Sequence, residues 1–437
     1  MLNNFLAFST LVSIWFSLLA SLVTLYGAIR FWIKHSKKIV SITPLKRYPT
    51  ITIVVPAHNE ELVIAKTTKG ILDLNYPASK IEVLLYADNC QDKTAAEMRK
   101  AVDMPEYRYR NVQIIERQGS GGKAGVLNDA LEIAQGEYIC VYDADALPEQ
   151  NALYFLIKKV LENPSRYMAT FGRNKTRNAK QNFLTRCINQ EVIVSQRIQH
   201  VGVWNLFKIG RIPGTNFIIN TEYVRSIGGW QQGALTEDTE ISFRIMEDGY
   251  LIALAYNSEA FEQEPEHLRD YYYQRLRWAK GNYQVVINNF KHLFDRSNWR
   301  VKLETFYLTC VFFWFNLAVV LSDIIFFVDL GCVVARFFNP KIPIIFAMDS
   351  NLLLMQLLLI NWLLMILLYV TQINLALATQ YGQATSDQIW LALGSYFTYS
   401  QLFIAISIQA VCSVIGDKIF KRDGSKWVKT KRFADQG

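Results

Sequence analysis

The sequence predicts a doubly wound α/β domain of nucleotide-binding type set between membrane-anchoring helices. Three observations carry this. Charged residues are missing from long runs near both ends, four apolar strands alternate with helices between them, and polar residues collect at the carboxyl ends of those strands.

Thr50 to Ala57 (TITIVVPA) is a β-branched run closed by Pro56, and Asn59 and Glu60 open a helical pattern to about Leu74. Ile81 to Asp88 forms a second strand, followed by a helix near Asp92 to Ala101. Val112 to Arg117 forms a third, leading through the turn GSGGK into a helix ending near Gln135. Glu137 to Asp143 is the fourth. Such alternation implies a parallel sheet covered on both faces, with ligands bound outside the carboxyl ends of its strands. His58, Asn59 and Glu60, then Asp88 and Asn89, then Lys123, then Asp143 and Asp145 fall at those ends.

The chain of 437 residues is 51% hydrophobic and 19% charged, which excludes disorder, collagen and small disulfide scaffolds. No charge occurs from Met1 to Ile29, from Ser350 to Ser386, or from Gln388 to Gly416, and each run exceeds the roughly 20 residues that span a bilayer core. The first run lacks a basic n-region and a small-residue cleavage site, so it reads as a retained anchor. Arg30, Lys34, Lys37, Lys38, Lys46 and Arg47 follow it before the first acid at Glu60, which places the central domain in the cytoplasm. The net charge of +8 then reflects membrane flanks and calls for no nucleic acid. Six scattered cysteines without a CxxC pair indicate a reduced compartment, and five histidines show no zinc spacing. The glycine turn does not have P-loop spacing, so ATP hydrolysis is unsupported.

Three acidic or aromatic motifs can carry chemistry. Asp143 and Asp145, two apart at the end of an extended segment, present both carboxylates to one side, as magnesium or manganese requires; a solvated turn is the plainer alternative. LTEDTE, 235 to 240, has Thr236 as a potential helix N-cap, and a carboxylate there can also serve as general base. QRLRW, 274 to 278, suits a membrane-surface helix, and equally sugar rings and diphosphates.

Taken in order, VPAHNEE (55 to 61), YADNCQD (86 to 92), GGKAGVLNDAL (121 to 131), DAD (143 to 145), TED (236 to 238) and QRLRW resemble the membrane-embedded processive family-2 glycosyltransferases, which make cellulose, mixed-linkage glucan, hyaluronan, chitin-type oligomers and poly-N-acetylglucosamine. The resemblance covers roughly 51 to 282 and departs at His58, to which no role is given. It implies a GT-A domain, a mixed doubly wound α/β sheet, joined to a transmembrane helical bundle and amphipathic interface helices. It further implies Asp238 as catalytic base, with Thr236, Glu237, Trp278, Gly214 and Thr215 at the acceptor. Pro56, Glu60, Asp88, Lys123, Asp143, Gln274 and Arg277 would meet the donor nucleotide. Asp143 and Asp145 would hold a divalent metal, Mg2+ or Mn2+. Trp427, Thr430 and Arg432 have the spacing of a gating loop that closes over nucleotide.

The expected domains are an N-terminal transmembrane helix (1–33), the GT-A domain (48–260), interface helices (261–304), C-terminal transmembrane helices (305–416) and a basic tail (417–437). The tail, Lys418 to Arg432, belongs in the cytoplasm by charge, so an even number of spans, four, should separate it from the central domain. The 305–335 stretch would supply two short spans, or one span with an interfacial piece. Asp323 and Asp329 within it would mark a helix end or line a wet cavity. The expected enzyme is a multi-pass plasma-membrane protein that adds sugar from a UDP-sugar, UDP-glucose or UDP-N-acetylglucosamine, to a β-linked polysaccharide. The alternative is a single-transfer enzyme acting on a lipid-linked acceptor. A transport protein with a regulatory nucleotide domain lacks the internal repeats it would need.

Overall fold

The computed structural model describes residues 2–35, 42–343, 352–419 and 432–433. Its centre is an eight-stranded mixed sheet of order β3-β2-β1-β4-β7-β6-β8-β5. The strands are β1 (Ile51–Ala57), β2 (Ile81–Asp88), β3 (Asn111–Arg117), β4 (Tyr138–Val141), β5 (Leu147–Pro148), β6 (Tyr167–Thr176), β7 (Phe217–Asn220) and β8 (Leu251–Glu262). The first four run parallel, with Ile51 opposite Ile81 on one side and Tyr138 on the other. β7 pairs antiparallel with both β4 and β6 and reverses the sheet at its middle.

Both faces of β1, β2 and β4 are dry, so these strands need no polar alternation. Ile51, Ile53 and Val55 enter one core with Ile71, Met98 and Leu156, whereas Val54, Leu84 and Val141 enter the other. This second core also holds Leu25, Ala28 and Phe31 of the N-terminal helix (Leu2–His35) and Leu368, Ile373 and Leu377 of the long apolar helix Leu352–Tyr381. The sheet domain and these two apolar helices thus share one core. The closest crossing pairs Gly27 with Gly202 of helix His200–Phe207: a side chain at Gly27 would stand 2.5 Å from the Gly202 carbonyl. Asn205 Nδ2 donates to Gly27 O at 3.0 Å and Trp32 Nε1 to Arg197 O at 2.9 Å, which fixes the crossing.

Three stretches among the described residues are long and apolar enough to cross a membrane: Phe8–His35, Leu359–Tyr381 and Ser386–Asp417. The 305–335 stretch, expected to give two short spans or one span with an interfacial piece, lies within one continuous helical run from Trp299–Thr309 through a π-helical segment, Cys310–Phe315, into Asn316–Arg336.

Candidate active site

Lys123 organises the site. It lies in the first turn of helix Gly122–Ile133, behind β3, and donates to Asp143 Oδ1 at 2.6 Å and to the Gly214 carbonyl at 2.7 Å. Glu237 Oε1 is 3.5 Å away. Burial disfavours the ammonium, but Asp143 and Glu237 outweigh it and hold its pKa above the usual lysine range. The Asp143 N–H donates to Thr215 Oγ1 at 2.9 Å, so the turn after β4, the loop before β7 and the acidic turn at 235–240 converge on one cation. Thr215 is fully buried.

The two carboxylates of the DAD segment do not continue a strand. β4 ends at Val141, and the Ala146 N–H donates to Asp143 O at 2.9 Å, closing a turn that separates the two environments. Asp143 faces Lys123. Asp145 is buried, accepts from the Gln263 N–H at 3.1 Å, and receives Arg432 from the tail. The turn, rather than the period of an extended strand, sets their orientation.

Asp238 lies in the first turn of helix Glu237–Glu247, where the Thr239 N–H donates to its Oδ1 at 2.7 Å. Its Oδ2 borders Gly214, where a Cβ would come within 3.1 Å. Burial and the neighbouring Glu237 push its pKa up to about 7 against the opposing pull of Lys123. Thr236 occupies the N-cap position without capping: its side chain makes no cap hydrogen bond, and Oγ1 is buried with no partner among the described residues. The Thr236 side chain packs close on Gly281, where a Cβ would lie 2.5 Å from Thr236 Cγ2.

Gly281 belongs to helix Leu268–Asn289, which also carries QRLRW. Arg277 faces Glu237, Asp238 and Asp143, yet burial depresses its pKa, and its Nε has no partner among the described residues. Gln274 Oε1 is likewise buried without a partner there. Trp278 remains 37% exposed.

At the opposite end, Asp88 is buried and its Oδ1 accepts from Arg117 Nη1 at 2.8 Å and Asn89 Nδ2 at 3.1 Å. Pro56 stands in β1 opposite Tyr86 of β2. His58 shares a hydrogen bond of 2.7 Å with the Asp88 carbonyl through Nδ1, and so braces this edge. Glu60 Oε2 lies 3.6 Å from Arg432 Nε. Trp427 and Thr430 lie outside the described residues.

Two groups escaped the sequence reading. Glu262 ends β8 and Glu264 follows it, beside Asp145; burial together with Asp145 and Asp143 raises the Glu262 pKa, and burial pushes Glu264 up to about 7. The other is Arg275, within QRLRW itself. The acids lie more than a hundred residues from Asp145 in sequence, and their only signal was an acidic run after a strand.

The donor set at Asp143 and Asp145 fits a hard divalent cation, since both offer carboxylate oxygens and each is now balanced by a protein cation, Lys123 or Arg432. Among the described residues no three His, Cys, Asp or Glu side chains form a metal cage. A two-carboxylate site completed by substrate phosphates is the arrangement expected for magnesium.

Residues 49–281, more than half the chain, match the family described as "Glycosyltransferase like family 2". The chain belongs to that family. Over 434 residues, 99% of either chain, it is 32% identical to the probable glycosyltransferase YdaM of Bacillus subtilis (strain 168). A β-monoglucosyldiacylglycerol synthase of Nostoc sp. shares 33% identity over 243 residues, 55% of this chain and 50% of that one. A poly-β-1,6-N-acetyl-D-glucosamine synthase of Staphylococcus aureus shares 26% over 248 residues, 55% of this chain and 56% of that one. Among solved structures, the mannosyltransferase PcManGT from Pyrobaculum calidifontis, in complex with GDP-Man and Mn2+, superposes with a TM-score of 0.62 at 19% identity, covering 96% of this chain and all of the other. That likeness establishes a GT-A-like fold.

Proposed function

We propose that the protein is a membrane-associated, inverting glycosyltransferase that moves a hexose or N-acetylhexosamine from a UDP-sugar to an acceptor hydroxyl, with Asp238 as general base. The observation that carries this is the placement of Asp238 between Glu237 and Gly214, with a pKa near neutrality and with Arg277 and Lys123 facing it. As the acceptor oxygen attacks the anomeric carbon, its proton passes to Asp238 and the bond from that carbon to the diphosphate oxygen breaks. The leaving group departs as UDP, so no second carboxylic acid is needed to protonate it. Arg277 and Lys123 stabilise the charge that develops on the diphosphate. A divalent metal on Asp143 and Asp145, when bound, adds to that neutralisation.

Two acceptors fit. A growing β-linked polysaccharide is supported by the complete QRLRW motif with its exposed Trp278. A lipid acceptor is supported by the identity to relatives named β-monoglucosyldiacylglycerol synthase, which exceeds that to the relatives named poly-β-1,6-N-acetyl-D-glucosamine synthase. Incubating detergent-purified protein with UDP-glucose or UDP-N-acetylglucosamine, manganese and diacylglycerol vesicles separates them. An extended polymer supports the first reading, a glycolipid carrying one sugar supports the second, and no transfer from either donor overturns the proposal.

A further inference from the structure

Arg275, the second residue of QRLRW, is 4% exposed, and its guanidinium carbon lies 4.1 Å from the centroid of the Trp278 ring. Tyr271 flanks it at 5.3 Å. Its Nη2 is 3.2 Å from Glu191 Oε1, on helix Phe183–Val194, and the hydroxyl of Tyr399 donates to Glu191 Oε2. Tyr399 opens the last apolar helix, Tyr399–Ile419, and its ring lies 5.4 Å from that of Tyr271. One turn beyond Trp278, Gly281 packs on Thr236, so the tryptophan and the base-bearing turn meet the same helix. Lys280 Nζ donates to Asp417 Oδ2 at 2.9 Å and so joins helix Leu268–Asn289 directly to helix Tyr399–Ile419.

Burying a guanidinium is costly, and an ion pair whose carboxylate, Glu191, keeps 43% of its side chain exposed adds little to stability. What the ionic pair adds is direction. A guanidinium stacked on one face of the indole fixes the ring plane and leaves the opposite face as the exposed surface. The C–H groups of a pyranose ring carry partial positive charge and match such a π face.

We infer that Arg275, Glu191 and Tyr399 are positioning residues that hold Trp278 as a one-sided platform for the acceptor sugar ring and tie that platform to the last apolar helix. This rests on the glycosyl-transfer reading above and on Trp278 lying at the acceptor. It makes the stack and its carboxylate a determinant of acceptor affinity, separate from donor binding.

The test uses the full-length protein in detergent, a UDP-sugar donor, and a short alkyl β-glucoside as the acceptor probe, with separate KM values for donor and acceptor. Arg275→Met should raise the acceptor KM about tenfold while leaving the donor KM within about twofold, and Arg275→Lys should restore most of the loss. Glu191→Gln and Tyr399→Phe should shift the acceptor KM in the same direction by less, which keeps the test open if Arg275→Met fails to fold. Trp278→Ala is the reference. If it raises the acceptor KM and the Arg275, Glu191 and Tyr399 variants do not, the tether is wrong and the acceptor reading stands. If Trp278→Ala leaves the acceptor KM unchanged, the acceptor reading itself fails. Equal effects of Arg275→Met on both substrates would mark a structural role only and overturn the inference.

Discussion

Arg432 donates from Nη2 to Asp145 Oδ1 at 2.9 Å, and its Nη1 stands 2.9 Å from Oδ2, a fork that engages both oxygens of one of the two carboxylates assigned to the metal. Phe433 fastens it: its N–H donates to Gln263 Oε1 at 2.9 Å, and its carbonyl accepts from Gln263 Nε2 at 2.8 Å. Arg432 and Phe433, from the tail expected to close over nucleotide, therefore reach the site at Asp145, a carboxylate proposed to hold the metal.

A guanidinium and a divalent cation cannot both take both oxygens of Asp145. Removing Arg432 should therefore tighten binding of metal alone, by about tenfold if the lost charge-assisted pair is worth roughly 1.5–3 kcal/mol in part offset by solvent. Titration of Mn2+ into Arg432→Ala, followed by electron paramagnetic resonance, measures this without turnover. Equal affinities in wild type and variant would show that the arginine does not compete for the site.

The position of Asp238 sets a pH dependence. Its pKa is raised, to about 7, so below that pH the carboxyl carries the proton and cannot accept another. Transfer should rise with pH through about 7 and level off above it. A divalent cation bound at Asp143 would add positive charge nearby and shift the limb toward lower pH, and the negative diphosphate of the donor opposes that shift. A flat profile of kcat/KM across about pH 5.5 to 8.5 would be inconsistent with Asp238 as the base.

The crossing of Gly27 and Gly202 couples the first apolar helix to the sheet. A Cβ at Gly202 would fall well inside contact distance of the Thr24 carbonyl, a backbone atom that cannot rotate aside. Gly202→Val should lower stability by about 1–3 kcal/mol, read as a lower midpoint in thermal unfolding of the detergent-solubilised protein. An unchanged midpoint would mean that the N-terminal helix does not dock as described.

The parallel half of the sheet was legible because β1, β2 and β4 are buried on both faces and read as apolar runs, interrupted only by Thr52 and Glu82, that lead into Asn59, Asp88 and Asp143. The other half was not. β6 carries Arg173 and Lys175, and β8 carries Glu259; their charges pair between these neighbouring strands, with Arg173 opposite Glu259, which lets polar stretches bury as strands. The site motifs were recognisable as an ordered set, but not their contacts. Nothing in spacing tells that Lys123 would bridge Asp143 and Gly214, that Thr236 would pack on Gly281 rather than cap its helix, or that Asp145 would receive Arg432 from the far end of the chain.

The central claim is that Asp238 deprotonates an acceptor hydroxyl during sugar transfer from a UDP-sugar. The most direct measurement is transfer of radiolabelled sugar from UDP-glucose and UDP-N-acetylglucosamine in manganese, comparing wild type with Asp238→Asn, alongside UDP binding to both. The account predicts that the variant binds UDP as wild type does while its kcat falls about a hundredfold to ten-thousandfold. Turnover by Asp238→Asn within a few fold of wild type would contradict it.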